Sequence, residues 1–408
     1  MTHLDFAQNM PAGAPIDLPG AAVCPACCST ETEDVFKAGE LPVNVGEFYD
    51  TYSAAIDAPV GAVTLSYCRA CGFVHNRKLD TSLDVFRPGY EVALHHSETF
   101  RNFITEVAER LVNRFDLRQK QILEIGCGDA YFLKKLAALG ANQCTGIDPT
   151  ISTEGKSAAA NGTVRLIRDY FGPAHQNIDA DFVCCLSVFE DIPSPGPFLA
   201  AVHALAARRN ASLYFEVFNA WRAFEEQEVW SVHYEQCNYF GLNSLQNLFA
   251  RHGFKIHEAG TCYQGDQYLF IEATPAPRLE IAPAIPPQPD VPEVLRSYEH
   301  VFNEKRELWN RRLSRYRNAG ERVVVWGTGG KGITFLNSVS EAHAIEFVAE
   351  INPDKQGKYV PGTGQRIVSP EFLAEYQPHK IIITNALYEV EMKSQARALG
   401  VEAEFLIA

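Results

Sequence analysis

Two stretches of this chain run from a buried strand through a glycine turn into a helix: "LEIGCGDAYFL" (123–133) and "RVVVWGTGGKGITFLNSV" (322–339). A short apolar run closed by such a turn and continued by a helical pattern is the opening of an α/β unit, with its sheet buried under helices. Having two such openings demands two sheets. The stretch between them contains "TPAPRLEIAPAIPPQPDVP" (274–292), dense in proline and without apolar period, which reads as a linker. A chain of 408 residues also exceeds what one core supports.

The first unit is the larger. After a helical pattern, "SETFRNFITEVAERLVNRF", come four buried strands, "QILEIGC", "NQCTGIDP", "DFVCCLSVF" and "ASLYFEVF". They alternate with helical stretches, as a mostly parallel sheet requires, and "HEAGTCYQGDQYLFIEATP" adds an antiparallel pair. The second unit continues through "AIEFVAEI" and "KIIITNAL". The expected division is an arm over 1–20, a cysteine-bearing domain over 21–85, an α/β core over 86–275, a linker over 276–292, and a helix plus second Rossmann-like unit over 293–408. The fold class is α/β.

Net charge of −14 argues against nucleic acid or an anionic membrane surface as partner. No apolar run is long enough to span a bilayer, and the first twenty residues do not read as a secretory signal. The expectation is a cytoplasmic protein, monomer or homodimer, in which the eleven cysteines are not disulfide-bonded. Four of them form the pairs "CPAC" (Cys24, Cys27) and "CRAC" (Cys68, Cys71). Two knuckles of that spacing turn four thiolates toward one tetrahedral ion, so structural zinc is expected there, with Cys28 a bystander.

In the first glycine turn, Glu124, Gly126 and Gly128 precede a helix start, where free amides can meet a ligand. Asp148 ends the next strand and can accept the hydroxyls of a ribose. The third glycine of the dinucleotide pattern is missing, and "EIGCG" resembles motif I of class I S-adenosylmethionine-dependent methyltransferases. That resemblance places Asp169 and Tyr170 at the adenine, and Ser187 and Phe189 at the methionine end. In the second turn, Glu350 takes the acidic position after the next strand, leaving nucleotide binding and an emptied scaffold both open, and Lys331 is a candidate for contact with substrate.

The whole chain resembles the nucleotide-sugar C-methyltransferases of deoxysugar biosynthesis, through "YCRACGFV", "VHYEQCNYFGLNSL", "VVVWGTGGKGITFLN" and "INPDKQGKYVPGT". The resemblance implies an N-terminal zinc domain, a core that binds S-adenosylmethionine, and a C-terminal domain that helps hold a keto sugar. A base takes the proton beside the ketone, and the enolate carbon takes the methyl. The family's Tyr-His-Glu-His stretch falls on His233, Tyr234, Glu235 and Gln236, so the expected base is an amide here. Upstream, "YEVALHHS" keeps Tyr90, loses the paired tyrosines at Val92 and Ala93, and brings in His95 and His96. His95, His96, His233, Glu235, Tyr90 and Tyr234 are therefore the catalytic candidates. Glu216, Asn219, Gln236 and Lys331 are the substrate-binding candidates, the first two at the carboxyl edge of the sheet. O- or N-methylation of a natural product or glycan stays open as an alternative. So does a zinc-stabilised adaptor without turnover.

Overall fold

The computed structural model describes residues 23–83, 86–276 and 290–408. The expected arm, and all but the ends of the expected linker, lie outside these residues.

The cysteine-bearing segment folds as a sheet of β1 (Thr32–Pro42), β2 (Val60–Cys68) and β3 (Val74–Asn76). Its fourth strand comes from far along the chain: Asn238–Tyr239, β10 in chain order, pairs with β3 in antiparallel register. The sheet is therefore completed by the polar "HYEQCNY" stretch of the central unit.

The central sheet comprises β4 (Gln121–Ile125), β5 (Gln143–Ile147), β6 (Gly155–Ala159), β7 (Gly162–Ile167), β8 (Phe182–Leu186), β9 (Ser212–Phe218), β11 (Phe254–Cys262) and β12 (Tyr268–Pro275). Its order is β11-β12-β9-β8-β4-β5-β7-β6. Strands β7, β5, β4, β8 and β9 run parallel, while β12 pairs antiparallel with both β9 and β11, the expected terminal hairpin. Strand alternation divides the apolar residues between two faces. Ile122, Phe182 and Cys184 pack under the helices Glu98–Arg114 and Tyr131–Gly140, while Leu123, Ile125 and Val183 pack under Pro195–Ala207 and Leu242–Arg251. The order reverses at β4, with β5 on one side and β8 on the other. That switch point opens a crevice at the carboxyl ends of the strands.

The third sheet is all parallel: β15 (Arg366–Val368), β14 (Phe347–Ala349), β13 (Val323–Trp326), β16 (Lys380–Ile383) and β17 (Glu404–Ile407), in that order. The long helix Val291–Asn318 leads into it and packs back on β1, with Phe36 edge-on to Tyr298 at 5.2 Å and to Phe302 at 5.4 Å. One apolar cluster runs through Phe36, Trp230, Phe302, Trp309 and Phe335, so segments hundreds of residues apart share a core. Truncating one such ring to alanine costs about 3–5 kcal/mol.

Cross-unit polar contacts fix the start of the Glu98–Arg114 helix. Ser97 caps it, accepting from Phe100 N. Glu391 of the C-terminal unit then accepts from Ser97 Oγ at 2.7 Å, Thr99 Oγ1 at 2.9 Å and Glu98 N at 3.3 Å. An acid at a helix N-terminus is favoured by the free amides there. Among the described residues, no helix is long and apolar enough to cross a membrane.

Candidate active site

A cavity of about 2480 Å³ occupies the switch point, walled by the first glycine turn, the 86–95 loop and part of the cysteine module. The turn is built for close approach. Gly126 has φ +74°, and a Cβ there would sit 2.4 Å from Val188. Gly128 has φ +51° with nothing within 4 Å of a Cβ, so its outer side is open. Asp148, just past β5, braces the turn: Oδ2 accepts from Gly128 N at 2.8 Å, and Oδ1 from Thr150 N at 2.7 Å and Thr150 Oγ1 at 2.5 Å. A carboxylate has about four lone-pair sites, so acceptor capacity remains for a ligand hydroxyl.

Glu124 is 3% exposed and its Oε2 has no partner among the described residues. Burial, then Asp148 and Asp129, push its carboxyl well above the usual range. Three acids converging behind the glycine turn suit a ligand that carries positive charge and hydroxyls.

Over this turn lies His95, 3.6 Å from Asp129 and stacked on Tyr131 at 4.3 Å and on His96 at 4.7 Å. Burial outweighs Asp129 and lowers the His95 pKa. His95 lines the cavity, and His96 is not among the lining residues. Asp169, Tyr170 and Ser187 also line it. The Tyr170 hydroxyl is tied to the backbone of Phe86, accepting from its N–H at 2.9 Å. Glu216 reaches the wall from β9, 1% exposed, accepting from Tyr214 Oη at 3.1 Å and Cys262 Sγ at 3.7 Å, and burial pushes its pKa up to about 7. On the 86–95 loop, Tyr90 lines the cavity and donates to Glu235 Oε1 at 2.7 Å. Glu235 is itself buried, accepting also from Val45 N at 3.0 Å. The sequence placed these two among its catalytic candidates 145 residues apart, and the fold joins them.

Residues 97–259 match the methyltransferase domain family, and residues 289–408 match the C-methyltransferase C-terminal domain. The chain is an S-adenosylmethionine-dependent methyltransferase. It is 22% identical to the C-methyltransferase NovU of Streptomyces niveus over 389 residues, 90% of each chain. A ubiquinone biosynthesis O-methyltransferase of Burkholderia lata is 33% identical over 111 residues, 25% of this chain and 46% of that one. The crystal structure of magnesium protoporphyrin IX methyltransferase from Synechocystis PCC 6803 overlaps 46% of this chain and 89% of that one at 16% identity and a TM-score of 0.33, too loosely to argue from.

The methyltransferase's glycine turn fits the cofactor: the outer side of Gly128 is open to a close-lying ligand, and Asp148 keeps acceptor capacity for a ribose hydroxyl. Its four cysteines fit a metal. Their sulfurs lie within 4.8 Å of one another, with Cys24–Cys71 at 3.7 Å and Cys27–Cys68 at 3.6 Å. Around an ion with bonds of about 2.3 Å, tetrahedral sulfurs stand roughly 3.8 Å apart. Cys28 is exposed and outside the cluster.

Other candidates fall elsewhere. Phe189 is fully buried, stacked on Phe240 at 5.2 Å, and Val188 is the residue on the cavity wall. Asn219 caps the short Ala220–Glu225 helix, accepting from Arg222 N and donating to Asp266 O. Tyr234 packs its ring on Gly61 and bonds the backbone of Asp80. Gln236 is buried off the cavity wall, with Nε2 unpartnered among the described residues. His233 and Lys331 lie in the seam with the C-terminal unit: His233 Nδ1 meets Thr334 Oγ1 at 2.8 Å, and Lys331 pairs with Glu228 at 2.6 Å. Burial, with Lys331 close by, lowers the His233 pKa to about 4. The Asn219 outcome was legible, since asparagine before "AWRAFE" is a helix-cap signal.

Proposed function

We propose that the enzyme methylates a carbon beside the ketone of a small keto-sugar acceptor, nucleotide-linked as the sequence resemblance implies. The backbone of 126–128 and Asp148 would hold the cofactor, with Asp169 and Tyr170 at the adenine and the buried Glu124 carboxyl behind the turn. When bound, S-adenosylmethionine supplies a methyl on a sulfonium, with a neutral thioether as leaving group. Tyr90 takes the proton from the acceptor carbon and hands its own to Glu235, leaving an enolate carbon as the nucleophile. Positioning supplies much of the acceleration, because the sulfonium is already reactive. Cys24, Cys27, Cys68 and Cys71 would hold a zinc ion that staples the first sheet.

The observation that carries this reading is the Tyr90–Glu235 hydrogen bond at the wall of the cavity into which the glycine turn opens. His95 on the same wall favours a second reading, transfer to a hydroxyl with the imidazole as base. Mass spectrometry with methyl-labelled cofactor and a panel of dTDP-keto sugars and their hydroxyl analogues separates them: carbon-bound label supports the first, and oxygen-bound label removes it. Tyr90→Phe is expected to lower transfer about a hundredfold, with S-adenosylmethionine affinity by calorimetry unchanged. Undiminished transfer in that variant would take Tyr90 out of the mechanism.

A further inference from the structure

Strand β9 carries an acid near its carboxyl end, in "FEVFN", and the alternation of the strand decides where that acid points. Tyr214 packs with Ile122, Phe182 and Cys184 on the face covered by the helices Glu98–Arg114 and Tyr131–Gly140. Glu216, two residues on, projects to the same face. It pairs with Leu186, the last residue of β8, and its carbonyl accepts from Ser187 N at 2.8 Å. Phe100 and Ile104 from the first helix, Tyr131 and Phe132 from the second, and Leu186 from the sheet all line the cavity. The cavity therefore extends between this face and its helices as an apolar slot, with the Glu216 carboxyl in its wall.

Only one oxygen of that carboxyl is committed. Oε2 takes both the Tyr214 hydroxyl and the Cys262 thiol. Oε1 accepts from no described residue and, unlike Oε2 of Glu124, is not sealed off. The residual 1% exposure of Glu216 is to the cavity it lines. Arg110, which lies over the Tyr214 ring at 5.4 Å, is spent on Glu272. Buried carboxylates are ordinarily paired, so a half-satisfied one on a cavity wall calls for a donor from a ligand.

The order of the strands says which ligand group arrives there. β7, β5, β4, β8 and β9 stand side by side, with Asp169 past β7, Asp148 past β5, the glycine turn past β4 and Glu216 on β9. Adjacent strands lie about 4.8 Å apart, which sets Glu216 roughly 14 Å from Asp148, on the side away from Asp169. With adenine at Asp169 and ribose at Asp148, the methionyl tail of the cofactor is the end that points toward β9. We infer that Glu216 receives the α-ammonium of that tail on Oε1, while Tyr214 and Cys262 hold its other oxygen in place. The sulfonium has no hydrogen to donate, and a keto-sugar acceptor brings no cation, so the ammonium is the group that matches a carboxylate here. Burial leaves the empty carboxyl with a pKa of about 7, and a neighbouring ammonium favours its anion. This inference rests on the cofactor lying at the first glycine turn, as in the reading above.

Calorimetry on the full chain tests it with two ligands: S-adenosylhomocysteine, and methylthioadenosine, an adenosine thioether without the amino-acid tail. Glu216→Gln keeps an oxygen for Tyr214 and Cys262 while removing the charge. The variant is expected to bind S-adenosylhomocysteine about tenfold or more weakly and methylthioadenosine with wild-type affinity. Wild type, with no substitution to disturb its fold, should bind S-adenosylhomocysteine more tightly than the analogue with hydrogen in place of the α-amine, by a similar factor. Unchanged S-adenosylhomocysteine affinity in the variant, or no preference for the amine in wild type, would overturn the inference and leave the proposed function standing. Equal losses for both ligands in the variant, or a loss confined to kcat/KM for the acceptor, would overturn it too. A wild type that binds neither S-adenosylhomocysteine nor methylthioadenosine would remove the cofactor site and this inference together.

Discussion

The two glycine turns of this chain are the same device put to opposite uses. Each follows a buried strand, each opens a helix, and each is braced by the acid after the next strand: Gly128 N on Asp148, Thr328 N on Glu350. Ahead of the first turn lies the cavity. Ahead of the second lies the central unit itself. A Cβ on Gly330 would come 2.4 Å from His233 Nε2, the neighbouring Lys331 is spent on Glu228, and Glu350 accepts from Thr328 Oγ1 and Asn352 N as well as Thr328 N. A nucleotide-like scaffold therefore becomes a docking face once another side chain takes the ligand's place. Motif alone does not distinguish the two.

The comparison breaks most visibly at the acids. Asp148→Ala should weaken S-adenosylmethionine binding about a hundredfold, through lost charge-assisted hydrogen bonds and a loosened turn. Glu350→Ala should leave that affinity at the wild-type value while lowering the melting temperature. Calorimetry on both reads the difference, and equal losses would mean the second turn also serves the cofactor.

Acid should loosen the filled turn. The unfolded His233 imidazole takes its proton near pH 6.5, whereas the folded one holds off until about 4. The stability this group contributes is thus present above pH 6.5 and lost as pH falls through 4, an amount of about 2 kcal/mol once partial exposure of the ring is allowed for. Urea unfolding of wild type and His233→Gln at pH 7.5 and pH 4.5 should show the variant losing less. Parallel losses would mean that another group governs the acid limb.

The smallest effect is steric. Gly330→Ala should cost about 1–2 kcal/mol by forcing the His233 ring aside, and adding His233→Ala should remove most of that cost. Additive costs in the double-mutant cycle would show that the ring does not fill the turn.

Much of the scaffold was readable along the chain because its signals are local. A strand, a glycine turn and a helix are specified within about a dozen residues, and a cysteine knuckle within four. The acids at the first glycine turn followed from the same short pattern, and the candidates Tyr90 and Glu235 from the resemblance. The occupant of the second turn was not readable. Nothing near residue 330 signals that His233, about a hundred positions earlier, will cover it. Phe189 misled for the opposite reason: its position in "SVFEDIP" fits a ligand contact, but the surrounding aromatic residues bury it, and Val188 stands at the surface instead.

The late strand of the cysteine sheet has a consequence for biosynthesis. Residues 74–76 emerge from the ribosome well before their partners at 238–239. Until translation passes that point, the module has its metal ligands but an unpaired edge, the kind of exposed strand that invites mispairing. The nascent chain must therefore carry an incomplete sheet through the synthesis of most of the central unit, and an excised module would keep that raw edge permanently.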